Sequence, residues 1–216
     1  MHSLESNQLD PIRTISHRQF INEKNQCLRK SDRSLKGSLD KPIELLVTAI
    51  NQSDNFYTTS SCSGRIVLVS SEPKKLKSQN QLIFVSHTII EESENLLQIL
   101  TNPTTNFQLV TLKFESFILH IRCKSLEYAR TLLRCSIDAG QRNSGLNISN
   151  SGHITVAIRN TLDLEVPLII NNKLMVSEDY LRELITIANE KLISNFEMIQ
   201  RFFDVCEQND LFRSLE

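Results

Sequence analysis

The chain has 216 residues, of which 40% are apolar and 23% charged, with a formal net charge of −1. That balance excludes a disordered chain and fits a globular one, with length for one domain or two small ones. Its longest apolar runs, LIFV and FIL, are far too short to cross a bilayer, and MHSLESNQLD lacks the basic and apolar stretches of a secretory signal, so no membrane partner is expected.

In chain order, residues 1–14 read as a loose tail, 15–204 as a single domain and 205–216 as a C-terminal tail. Ile15 to Arg33 has helical spacing, with Phe20, Ile21, Cys27 and Leu28 on its apolar side. A second helix starts near Asp40, an N-cap residue, with Pro42 just inside it. Strands follow at Phe56–Thr59 and Ile66–Ser70, then a polar lysine-bearing loop from Ser71 to Gln81. Leu82–Thr88 reads as a strand, Glu91–Leu100 as a helix, and Phe107–Phe114 and Phe117–Cys123 as strands. Ser125 caps a helix that runs to Ala139 and closes at Gly140. Ile148–Arg159 and Leu164–Ile170 are strand-like, and Asn171–Asn172 turns the chain into Lys173–Val176. Ser177 caps the longest helix, whose buried stripe is Leu181, Leu184, Ile185, Ala188, Leu192, Phe196 and Ile199. This order predicts an α+β fold with a mixed or largely antiparallel sheet packed with helices. No G-x-G-x-x-G follows a strand, so a Rossmann-type scaffold is not expected.

Charge is segregated along the chain. Residues 1–160 carry 19 Lys+Arg against 14 Asp+Glu, whereas residues 161–216 carry 5 against 11. A basic face for phosphates, with an acidic C-terminal segment turned elsewhere, accounts for this; ordinary solvated faces are the plain alternative. The five cysteines form no C-x-x-C pair, which points to reduced thiols in a cytoplasmic protein and to no metal site.

Tyr57 to Arg65, YTTSSCSGR, packs five Ser and Thr hydroxyls, a thiol, a glycine and an arginine between two apolar strands. Read by itself, it is the turn where those strands meet. Gly64 would permit close approach of a ligand, and backbone N–H groups, small hydroxyls and Arg65 suit a carboxylate or phosphate. A hydroxyl-rich hairpin turn without a ligand is the alternative.

YTTSSCSGRI also resembles the signature of the tRNA wybutosine-synthesizing protein 3 family, S-adenosylmethionine-dependent methyltransferases that act on a modified guanosine in phenylalanine tRNA. SDRSLKGSLD before it, and LIFVSHTI, FILHIRC with AGQRNSGL, and VAIRNTLDLEVPL with LMVSEDYLRELITIANEKLISNFEMIQRF after it, agree in the family's order, from roughly Phe20 to Phe203. Two positions depart: Gln141 stands where an aromatic is commoner, and Thr88 where an acidic residue often follows FVSH.

The resemblance implies S-adenosylmethionine as cofactor and the anticodon loop of phenylalanine tRNA as partner. The expected cofactor residues are Ser34, Lys36, Ser60, Ser61, Cys62, Ser63, Gly64 and Arg65, with Lys36 meeting an anion near the start of the second helix. Cys62 lines the site, since methyl transfer to nitrogen needs no covalent enzyme intermediate. His120, Asp40 and Ser61 are the catalytic candidates, the first two as proton acceptors. His87 and His120 both lie on strands, where a half-buried structural histidine is the alternative. Arg122 should share a face with His120, two residues on. Arg122, Arg142, Asn143, Ser144, Gly145 and Arg159 are expected to bind substrate, holding phosphate, ribose or a base edge, with Lys74, Lys75 and Lys77 as helpers. The implied reaction is methyl transfer to a ring nitrogen of a tricyclic wybutosine precursor, splayed into a pocket. A non-catalytic tRNA-binding module, or an enzyme using Cys62 as nucleophile, are the other classes.

Overall fold

Runs of Val, Ile, Leu and Phe that alternate with polar residues set the strands, and the longest amphipathic run sets the helix that ties them together. The structure, a computed structural model, describes residues 16–29, 39–71, 80–92, 94–102 and 107–213. In order it contains α1 (His17–Arg29), a 3-10 turn (Lys41–Ile43) leading into α2 (Glu44–Gln52), β1 (Phe56–Cys62), β2 (Arg65–Ser71), β3 (Gln81–Ser86) and α3 (Glu94–Thr101). β4 (Leu109–Glu115), β5 (Ile118–Cys123), α4 (Leu126–Asp138), β6 (Gly145–Ile148) and β7 (Ile154–Arg159) follow, then β8 (Asp163–Ile170), β9 (Lys173–Leu174) and α5 (Glu178–Gln208).

The strands build two sheets, ordered β1-β5-β7-β6 and β3-β2-β4-β8-β9. Every pairing among the described strands is antiparallel. This is the α+β, non-Rossmann class that the element order implies. The chain switches sheets at Ser63–Gly64, at Ser116–Phe117 and at Asn160–Leu162, so neither sheet is made of a contiguous piece of chain.

Each sheet buries one face. Beneath the first, Phe56, Leu119, Ile121, Val156 and Ile158 pack with α2, α4 and the end of α5. Beneath the second, Ile66, Leu68, Val110, Leu112 and Leu168 meet α3 and the first half of α5. Each fully buried side chain of this kind stabilises by about 1.5–3 kcal/mol. At 31 residues, α5 is about 46 Å long and underlies both sheets. The expected caps form: Ser125 accepts from Tyr128 N–H and Ser177 from Tyr180 N–H, while Gly140 ends α4 at φ +93°. Asn171 and Asn172, both at positive φ, turn β8 into β9.

Four features differ from expectation. Tyr57–Arg65 is not a hairpin turn: β1 runs on to Cys62, pairs with β5, and leaves its sheet at Ser63–Gly64. Two apolar runs flanking a turn look alike whether the strands pair with each other or with others. Ile148–Arg159 is two strands, because Ser149–Gly152 forms a tight turn with Gly152 at φ +82°. Asp40 makes no side-chain cap bond, its carboxylate being directed instead to Ser63. Finally, α5 continues through Gln208, and Leu211 and Phe212 of the expected tail are buried, Phe212 lying edge-on to Phe56 at 5.7 Å.

Candidate active site on the open face of the first sheet

Along β5, Leu119, Ile121 and Cys123 point into the core while Ile118, His120 and Arg122 alternate to the other face. Register carries that face across the sheet: Ser60 lies opposite His120, Cys62 opposite Ile118, Ala157 opposite His120, Thr155 opposite Arg122 and Arg159 opposite Ile118. One end of the face is roofed by α1, through Phe20 against Tyr57 (centroids 5.2 Å apart) and Glu23 against His153 (3.4 Å). Arg122 lies there beside Tyr57, whose phenol pKa is pushed up by burial and pulled back by the Arg122 charge. The other end is an open groove of about 430 Å³, lined by Thr59, His120, Asn143, Asn147, Thr155 and Arg159.

His120 is oriented from both sides. Its Nδ1 is 2.8 Å from Ser60 Oγ, and its Nε2 is 3.3 Å from an Arg159 nitrogen. A guanidinium only donates, so Nε2 accepts, and the network assigns the ring proton to Nδ1, directed at the serine hydroxyl. Burial and the Arg159 charge both hold the imidazole below its ordinary pKa. The ring is thus neutral, its single Nε2 lone pair accepting from Arg159 at the groove wall.

A second polar cluster lies at the end of β1, where Cys62 shares the Ser60 face two residues on. Asp40 Oδ2 accepts from the Ser63 N–H at 3.1 Å and from its hydroxyl at 3.0 Å, and lies 3.4 Å from His87 Nδ1. Asp40, Cys62 and His87 bring their donor atoms within 4.8 Å of one another. The carboxylate oxygen that faces this cluster already accepts both Ser63 bonds, so the group is a hydrogen-bonded brace for the Cys62 corner. Burial pushes the Cys62 thiol up, against the pull of the Gly64 backbone and Arg65, which keeps it protonated at neutral pH.

Both clusters are fixed from beneath by one residue that sequence reasoning did not single out. Asn195 of α5 is fully buried; its amide donates to Ser63 O at 2.7 Å, and its Oδ1 accepts from Phe117 N–H at 2.8 Å and from Asn160 Nδ2 at 3.2 Å. It thereby joins all three sheet crossovers. Asn160 O in turn accepts from Asn143 Nδ2, tying the groove's rim to the same point. One turn and a half earlier on α5, Asn189 pairs with both backbone groups of Ile90 and clamps the segment after His87. The only sequence signal for Asn195 was an amide interrupting an apolar stripe.

These positions divide the expected site residues. Ser60, Cys62, His120, Arg122 and Arg159 share the open face, and Asn143 and Gly145 border the groove. Ser144 accepts from the Arg159 N–H, and Arg142 is exposed on the adjoining turn. Four expected positions are placed otherwise. Ser61 lies opposite Leu119, on the face turned away from His120, because strand side chains alternate. Ser63 is fully buried with its donors directed to Asp40. Gly64, at φ +95°, lacks a side chain for the protein's own sake: a Cβ would lie 2.9 Å from Asn195 Nδ2 and 3.1 Å from Glu115 O. Arg65 donates to Glu115 at 2.6 Å across β2 and β4, in the second sheet. Ser34, Lys36, Lys74, Lys75 and Lys77 lie outside the described residues.

The family described as Methyltransferase TYW3 matches residues 18–208. The chain belongs to that family. A tRNA wybutosine-synthesizing protein 3 homolog of Xenopus laevis is 41% identical over 85% of this chain and 72% of its own, and the Homo sapiens homolog is 39% identical over 90% and 74%. An Arabidopsis thaliana tRNA wybutosine-synthesizing protein 2/3/4 is 34% identical over 76% of this chain, which spans 18% of that longer protein. Among solved structures, the PH1069 protein of Pyrococcus horikoshii superposes with a TM-score of 0.79 at 26% identity, over 93% of this chain and 98% of that one. A hypothetical protein from Aeropyrum pernix superposes at 0.67 with 28% identity, over 80% and 98%. As a member of the TYW3 family the chain is a methyltransferase, built on two antiparallel sheets. No described helix is long and apolar enough to cross a membrane.

Proposed function

We propose that this methyltransferase transfers the methyl group of S-adenosylmethionine to a ring nitrogen of a tricyclic wybutosine precursor, the base 3′ of the anticodon in phenylalanine tRNA. The observation that carries the reading is the neutral His120, its Nε2 turned to the groove between Arg159 and Ser60. The names of the relatives support wybutosine synthesis as the setting.

The sulfonium donor supplies an activated methyl group when bound. Asp40 and Cys62, beside Ser60 at the end of β1, would hold it: a carboxylate suits a cationic donor, and a protonated thiol leaves room without competing as a nucleophile. The groove then receives the base. Held beside Cys62, the donor would supply a methyl carbon to the nitrogen lone pair, the C–S electron pair leaving with sulfur, and the groove's residues would hold the nitrogen toward it. Once Arg159 has turned from the imidazole to a flanking phosphate, His120 Nε2 takes the ring proton where the nitrogen carries one, and Ser60 keeps the imidazole aimed. Arg159 and Arg142 neutralise flanking phosphates. The protonated Cys62 disfavours the thiol-nucleophile class.

The test is calorimetric binding of S-adenosylmethionine and of its demethylated product, followed by mass spectrometry of precursor tRNA incubated with both. One methyl added at the base, with wild-type protein and not with His120→Ala, is the expected result. Absence of donor binding, or equal methylation by His120→Ala, would overturn it.

A further inference from the structure

The groove has a floor whose makeup the fold does not require. A single row crosses all four strands of the first sheet: Ser60 opposite His120, His120 opposite Ala157, Ala157 opposite Gly145. Neighbouring strands are about 4.8 Å apart, so the row from His120 to Gly145 spans about 10 Å. Along it the side chains fall from an imidazole to a methyl group to nothing. The flanking rows are tall: Arg159 on one side, Thr155 and Asn147 on the other. The result is a flat bay, closed at one end by a base and walled by an arginine, a hydroxyl and an amide.

Gly145 is the informative member. Its backbone lies outside the left-handed region that favours glycine, and a Cβ built there would meet nothing within 4 Å. Gly64 is the contrast, since positive φ and close neighbours both demand glycine. Glycine within a strand weakens it, by about 0.5–1 kcal/mol relative to alanine in general. Neither conformation nor packing explains its presence in β6. What its bareness does is keep the bay level with the pleat.

We infer that this bay is a platform for a planar heteroaromatic base, which lies flat over Ala157 and Gly145 with one edge toward His120 Nε2. Asn147 and Thr155 meet a lateral edge, the amide both donating and accepting and the hydroxyl doing either. Stacking of a base on a flat surface with hydrogen bonds at its edges is how extruded bases are generally held. The 10 Å length admits a fused two- or three-ring system lying along the row. At about 430 Å³ the groove falls at the small end of ligand pockets, enough for the base and its sugar. The methyl donor therefore lies beyond the Ser60 end, toward Cys62, and His120 stands where the two meet. This assignment rests on the tRNA reading above and adds which surface reads the base.

The inference makes stability and recognition move in opposite directions. Gly145→Val adds a strand-favouring side chain into open space, so the fold should hold or gain. The same isopropyl group stands about one ring thickness above the floor and blocks a flat guest. The probe is guanosine, titrated into isotope-labelled wild-type protein and followed by NMR. The expected result is ring-current shifts at the Gly145 and Ala157 amides and the His120 ring. In Gly145→Val they should vanish while the melting temperature is unchanged or higher, and Gly145→Ala, whose methyl stands no higher than that of Ala157, should keep them. Guanosine shifts confined to other surfaces, or the same shifts in Gly145→Val, would overturn the platform. Base shifts at Gly145 in a protein that fails to methylate precursor tRNA would uphold the platform and overturn only the proposed reaction.

Discussion

Asn195 makes three hydrogen bonds inside the protein, and none of their partners has water to turn to. Replacing it by leucine leaves the Ser63 carbonyl and the Phe117 N–H buried and unpaired, at about 1–3 kcal/mol each. Asn195→Leu should therefore lose roughly 2–5 kcal/mol in urea unfolding, although it completes the apolar stripe of α5; a gain in stability would refute the brace. His120 makes a different prediction, in pH. Its pKa is held below 6.5 by burial and by Arg159, and the neutral ring is the reactive form. The acid limb of kcat/KM should fall below pH 6.5 and be flat above it. Removing the cation in Arg159→Gln lets the imidazole gain its proton more easily, so the limb should move to higher pH. A limb unmoved by Arg159→Gln would mean that another group titrates.

At the scale of elements, α1 depends on few attachments: the Phe20–Tyr57 contact, Glu23 near His153, and Lys24, whose ammonium donates to Ser53 O at 2.6 Å where α2 ends. Burial holds the Lys24 pKa down, yet the charge meets carbonyls at a helix C-terminus, where a cation is favourable. Lys24→Ala should cost about 1–3 kcal/mol and expose the α1 region to protease well before the sheets unfold. What could be read from sequence divides along the same lines. The α5 stripe, the serine caps of α4 and α5 and the Asn171–Asn172 turn were readable because each follows a local rule of spacing or capping. The partner of β1 was not, since Phe56–Cys62 and Arg65–Ser71 carry no mark that sends them to different sheets. The site shows the same division. The shared face of His120 and Arg122 follows from strand period two, but the strand-like run in β1 ends at Thr59, so nothing in the sequence carries its alternation on to Ser61. Asn195 was invisible for a further reason: its three partners are 35 to 132 residues away.

For the whole molecule, charge separates with the layers. Glu183, Glu190, Glu197 and Asp204 recur every seven residues on the exposed side of α5, which underlies the inner face of the first sheet. Arg159, Arg142 and the groove belong to the other side. An RNA should thus be steered to the open face and turned from the helix. Arg142→Gln and Arg159→Gln should each lower the salt slope of tRNA binding by about one, whereas glutamines at the four acidic positions should leave the slope unchanged. Equal slopes for all these variants would place the RNA elsewhere.

The three sheet crossovers have a consequence for how the chain is made. A ribosome delivers β1 first, but its partner β5 follows some sixty residues later, and the first sheet stays open until β7 arrives at Ile154–Arg159. β2 and β4 likewise wait for β8, and Asn195 comes out only after every strand that it joins. The first sheet has all its strands only at Arg159 and the second only at Leu174, and α5, which covers the inner faces of both, comes last, so the nascent protein has no stable halfway house. Arrested chains ending before α5 should bind chaperones and be digested quickly, and full protection should appear in one step once α5 has cleared the exit tunnel. Long-range antiparallel pairing of this kind also sets a slow refolding rate, on the order of milliseconds to seconds.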